Sequence, residues 1–70
     1  MADIIKIKDE FIKLGQVLKF ANMVENGAEA KEVIADGLVL VNDEVETRRG
    51  KKIYSGDKVS FNGEEIIIEN

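Results

Sequence analysis

Residues 26–45 read NGAEAKEVIADGLVLVNDEV, and the reading of this stretch decides the fold. Asn26 followed three residues later by Glu29 has the form of a capping box. The asparagine oxygen can accept from the free N–H groups of a first helical turn. Ala30, Val33 and Ile34 then give a helix its apolar side. Gly37 follows at the place where a helix ends in a left-handed residue. From Leu38 the period changes: LVLV is a run of strand formers, Asn42-Asp43 makes a two-residue turn, and Val45 continues beyond it.

Upstream, Leu14, Val17, Leu18 and Ala21 fall at i, i+3, i+4 and i+7, which predicts an earlier helix near residues 13–23. Phe20 lies off that stripe, and VENG (24–27) breaks it. Each helix spans about ten residues and would not hold alone in water. They are therefore expected to pack on each other as a helix–turn–helix pair braced by strands. Ile5 and Ile7, two apart, predict a first strand near residues 3–7. Downstream, KVSF (58–61) leads into Asn62-Gly63, a strong hairpin signal, and EEIII (64–68) returns as the last strand. The class is α+β: two short packed helices against a small, mainly antiparallel sheet, in a single domain over residues 1–70.

Between the two hairpins lies TRRGKKIYSGDK (47–58), whose Gly50 and Ser55-Gly56-Asp57 read as loop and turn. It holds Arg48, Arg49, Lys51, Lys52 and Lys58 against one acid, Asp57. The whole chain carries ten basic and fourteen acidic residues, a net charge of −4. Taking the segment away leaves five basic and thirteen acidic residues, a balance of −8. A solvated loop is the plain reading of such charge. Segregation in an acidic chain points further, to a local anionic partner. Arginine forks bind phosphate bidentately and lysines add mobile charge. Tyr54 can stack a base, although packing beside Ile53 is the commoner use of a lone tyrosine.

Other chemistry is poorly supplied. The chain has no histidine and no cysteine, which removes the commonest general base, the commonest transition-metal ligand, thiolate sites and disulfides. Asp57, placed after Gly56, reads as a turn cap. Glu44, Glu46, Glu64 and Glu65 read as the solvent side of strands. No phosphate-cradling glycine loop or calcium-loop spacing occurs. No enzyme activity, metal or cofactor is expected. A run of about 18 apolar residues, the signature of a membrane span, is missing. The opening MADIIKIKDE has no apolar signal core, so a cytoplasmic location is expected. A monomer is expected as well.

The ordered set of motifs resembles the S-four-type RNA-binding domain, the alpha-L motif. Leu14 and Leu18, Ala30-Lys31, Ile34 to Gly37, Val39 to Asp43 and Gly56 to Val59 carry the resemblance, over roughly residues 12–60. ETRRGKK (46–52) further resembles the stand-alone bacterial YaaA/YbcJ-like members. The chain departs from the family pattern at Lys13-Leu14-Gly15, Asn26-Gly27, Asn42-Asp43 and Ser55, where Arg-Leu-Asp, Ser-Arg, Asn-Gly and proline are usual. Glycine at position 27 removes one phosphate contact and shifts the burden to Lys31 and the Arg48–Lys52 loop.

The resemblance implies a non-catalytic protein that binds structured RNA, ribosomal RNA foremost, in a ribosome-associated or assembly role. It implies a convex rim made by two helices and the basic loop. The RNA contacts would be Arg48, Arg49, Lys51 and Lys52, flanked by Lys19 and Lys31, with Lys13 outlying. Recognition would follow RNA shape through phosphates and 2′-hydroxyls, since the sequence shows no aromatic platform. DNA is open on charge alone. The alternative is an adaptor that docks the basic loop on an acidic protein. A sulfur carrier is a third reading, set aside because the sequence closes EEIIIEN without the Gly-Gly tail that chemistry requires.

Overall fold

The computed structural model describes residues 3–70. The helix read from residues 26–37 forms as Gly27–Ala35 (α2). Asn26 sits extended and accepts the Glu29 N–H at 2.8 Å, while the Glu29 carboxylate takes the Glu25 N–H at 2.7 Å. At the other end Gly37 stands at φ +76°, and the Leu38 and Gly37 N–H groups close on the Val33 and Ile34 carbonyls at 3.1 Å each. That is a Schellman stop. The earlier helix, Leu14–Phe20 (α1), ends by the same device three residues short of its predicted end at 23. Asn22 takes the left-handed position at φ +59°, and the Met23 and Asn22 N–H groups close on Leu18 and Lys19 carbonyls at 3.0 Å. Asparagine tolerates that conformation better than other side-chain-bearing residues do.

Five strands form one sheet: Asp3–Lys6 (β1), Val39–Val41 (β3), Glu44–Val45 (β4), Lys58–Phe61 (β6) and Glu64–Glu69 (β7), in the order β1-β7-β6-β3-β4. Both hairpin turns have two left-handed residues, Asn42 and Asp43 in one and Asn62 and Gly63 in the other. That geometry matches strand twist. All pairings are antiparallel except β1 beside β7, which brings the two ends of the described chain together.

The segment read as loop holds a strand. Lys52–Tyr54 (β5) pairs antiparallel with Phe11–Lys13 (β2) as a separate ribbon. Ile53 lies opposite Ile12, and both are buried. These two side chains anchor the ribbon to the core, where Leu14, Val17, Leu18 and Ile34 of the helices meet Val39, Val59, Ile66 and Ile68 of the sheet. Among the described residues no helix is long and apolar enough to cross a membrane.

Candidate nucleic-acid interface

Burying Ile12 and Ile53 turns their neighbours outward. Lys13 lies directly opposite Lys52, and Phe11 opposite Tyr54. Like charges facing each other across strands are destabilising. Among the described residues, neither lysine has a carboxylate within ion-pair distance. Lys52 Nζ lies 4.8 Å from the Phe11 ring centroid, a cation–π contact that relieves part of the repulsion. The Phe11 and Tyr54 rings stand 5.9 Å apart at 51°. An arriving anion would relieve the rest.

The basic loop is tied to α1 by its backbone. The first amides of a helix have no partner inside it. Here the Leu14 N–H donates to the Lys51 carbonyl at 2.9 Å and the Gly15 N–H to the Arg49 carbonyl at 3.0 Å. Loop carbonyls thus satisfy helix amides, and Arg49 is held against the start of α1. Lys19 lies one turn along α1 from Gly15 and Gln16, and Lys31 one turn along α2 from Gly27. Together Lys13, Lys19, Lys31 and Arg49 line a shallow concavity of about 300 Å3. Its floor is small: Gly15, Gly27, Gly50 and Ala30. No acidic residue lines it. Low-dielectric walls of one charge sign focus the field on what enters.

Arg48, Lys51, Lys52 and Tyr54 line an adjoining surface that shares Gly50. The two arginines differ. Arg48 is spoken for: its Nε meets Glu46 Oε2 at 3.0 Å, its Nη2 meets Oε1 at 3.4 Å, and its backbone N–H donates to Oε2 at 3.1 Å. These bonds from Arg48 hold the Glu46 carboxyl below its usual range, and Glu46 raises Arg48 in turn. Arg49 forms no ion pair among the described residues. Lys58 is drawn to the far side, where its Nζ meets Asp43 at 2.9 Å and Glu65 at 3.3 Å. Those two hydrogen bonds raise its pKa.

Asp57 caps its turn as its position predicts. Its carboxylate accepts the Tyr54 N–H at 2.8 Å and the Asn42 side-chain amide at 3.1 Å. Asn42 in turn accepts the Lys58 N–H at 3.0 Å. The turn after β3 is thereby latched to the turn after β5.

Two expectations change. Lys13, expected as an outlier, stands at the N-cap of α1 beside Lys19 and Lys31 in the same concavity. Lys13, Lys19, Lys31 and Arg49 line a hollow where a convex rim was expected, while Arg48, Lys51 and Lys52 line the adjoining surface. Sequence reasoning missed the floor, Gly15 and Gly50. Phe20, read as lying off the apolar stripe of α1, is 71% exposed.

Comparison with known proteins agrees with this architecture. The S4 domain model matches residues 5–69. The "Probable ribosome maturation protein RlbA" of Bacillus subtilis is 48% identical over 63 residues, covering 90% of this chain and 89% of that one. The "Putative RNA-binding protein YbcJ" of Escherichia coli is 42% identical over 61 residues, covering 87% of each. The solution structure of E. coli YbcJ, described as revealing an alpha-L motif involved in RNA binding, superposes with a TM-score of 0.76 at 35% identity. That alignment covers all of this chain and 90% of the other. The chain belongs to the S4 domain family.

Proposed function

We propose that this chain is a non-catalytic RNA-binding domain that docks structured RNA on its basic concavity, with ribosomal RNA as target and a role in ribosome maturation. It acts in the cytoplasm as a monomer. The observation that carries this reading is the acid-free hollow where Lys13 and Lys19 of the α1 segment, Lys31 of α2 and Arg49 of the loop converge. The adjoining Lys51 and Lys52 extend it, and Arg48 joins when its pair with Glu46 opens. The names of the two relatives, one for RNA binding and one for ribosome maturation, support the target. Two of the carboxylates are engaged structurally: Asp57 caps a turn and Glu46 pairs with Arg48.

Phosphate docking displaces counterions, so affinity must fall with salt. Binding of a ribosomal RNA fragment, titrated between 50 and 200 mM salt, should give a slope of log affinity against log salt of about −2 to −4, corresponding to three to five phosphates. A salt-independent affinity removes the mechanism.

A further inference from the structure

A second hollow adjoins the basic one and has a different character. Its volume is about 370 Å3, and Ile5, Ile7, Phe11 and Phe20 give it apolar walls. Lys6, Lys8 and Asp9 complete its rim, a local excess of one positive charge. Gln16 lines both hollows. The helix explains why. Lys19 and Phe20 are the third and fourth residues after Gln16 on α1, so both lie above it, on either side of one ridge. Lys19 faces the basic hollow and Phe20 the apolar one.

Phe20 has no structural duty that accounts for it. It is the most exposed large hydrophobic side chain described, while Leu14, Val17 and Leu18 of the same helix are fully buried. Across the hollow Phe11 presents a second ring, steadied by Tyr54 and Lys52.

We propose that this groove receives an unpaired nucleobase of the RNA whose phosphates occupy the basic concavity. The inference rests on the RNA-binding reading above. Four observations favour a base over an apolar protein segment. The groove adjoins the basic concavity, its rim is positive, its walls offer two aromatic rings, and its volume suits a nucleotide-sized group. Stacking on an aromatic ring tolerates any base, because every base has a π-face. The protein would then choose, among folded RNAs, those with a bulged or splayed nucleotide next to a helix. Such unstacked positions are where proteins gain selectivity on RNA.

The test uses two RNA hairpins with the same stem, one fully paired and one carrying a single bulged 2-aminopurine. The parent chain should prefer the bulged hairpin by about 5- to 150-fold, the range of one base stacked on one aromatic side chain. Its binding should quench the 2-aminopurine fluorescence. Phe20→Ala, a surface change that leaves the fold intact, should lose both the preference and the quenching while binding the paired hairpin as before. Arg49→Glu should weaken both hairpins alike. Equal affinity of the parent for the two hairpins overturns the proposal, as does a Phe20→Ala variant that still prefers the bulge. In either case binding to the paired hairpin leaves the RNA-binding reading standing, and only the base-binding role of the groove falls. If the parent binds neither hairpin at low salt, both readings fall.

Discussion

Reversing one arginine separates the concavity from the rest of the basic segment. In Arg49→Glu the backbone carbonyl that accepts the Gly15 N–H is retained, and the exposed side chain supports nothing in the core. Stability should therefore stay within about 0.5 kcal/mol of the parent. Binding should not. Four cations line the hollow, and at about 0.7–0.9 per neutralised phosphate they set a salt slope near −3 to −4. Losing one contact should reduce the slope by about 0.7–0.9. The new carboxylate adds repulsion against the neighbouring phosphates, so affinity should fall about tenfold or more at low salt. The assay is fluorescence anisotropy on a labelled ribosomal RNA fragment, with thermal melting as the check on folding. Adding Glu64→Lys on the far hairpin restores the net charge to −4 without restoring the site. It should not rescue binding. A folded Arg49→Glu chain that binds like the parent refutes the docking site, and full rescue by Glu64→Lys would show that only net charge matters.

Leu18 is fully buried, and Leu18→Ala should destabilise the fold by about 2–5 kcal/mol, out of a total of about 4–10 kcal/mol for a domain of this size. An unchanged melting curve would contradict the packing described. Gly27 opens α2 and lines the hollow, and a Cβ there meets no atom within 4 Å. Gly27→Arg should therefore fold normally, add a phosphate contact and steepen the salt slope by about 0.7–0.9; weaker binding would mean the hollow must stay empty at that point. Glu46 titrates below the usual carboxylate range, because Arg48 favours its charged form. Its pair supports the fold above that range and is lost as pH falls through the lowered value. Arg48→Gln should raise the Glu46 midpoint, read by carboxyl NMR; an unmoved midpoint refutes the pairing.

The parts of this fold that lie close together in sequence were legible there. The Asn26 cap, the Gly37 stop and the Asn62-Gly63 turn each depend on neighbours within five residues, and each forms as read. The β2–β5 ribbon was hidden because it joins two three-residue strands about forty positions apart. Each has one buried residue, and the alternation of Lys52, Ile53 and Tyr54 is too short to announce a strand. The parallel β1–β7 pairing is hidden for the same reason. The charge segregation in residues 47–58 drew attention to Arg49, Lys51 and Lys52, which line the two basic surfaces. It could not tell that Glu46 folds back on Arg48 or that Lys58 turns away to Asp43 and Glu65. The place of Lys13 beside Lys19 and Lys31 was not legible, because its pairing with Lys52 and the loop hydrogen bonds at the start of α1 are long-range.

Backbone amide shifts recorded while structured ribosomal RNA is added to isotopically labelled chain test the location of the interface most directly. The account predicts changes at Gly15–Lys19, Gly27–Lys31 and Arg49–Lys52, where the hollow is lined. It predicts little change at Leu40, Ser60, Glu65 and Ile67, which face away from the core on the opposite side of the large sheet. Shifts confined to that outer sheet face, with the concavity silent, would contradict it.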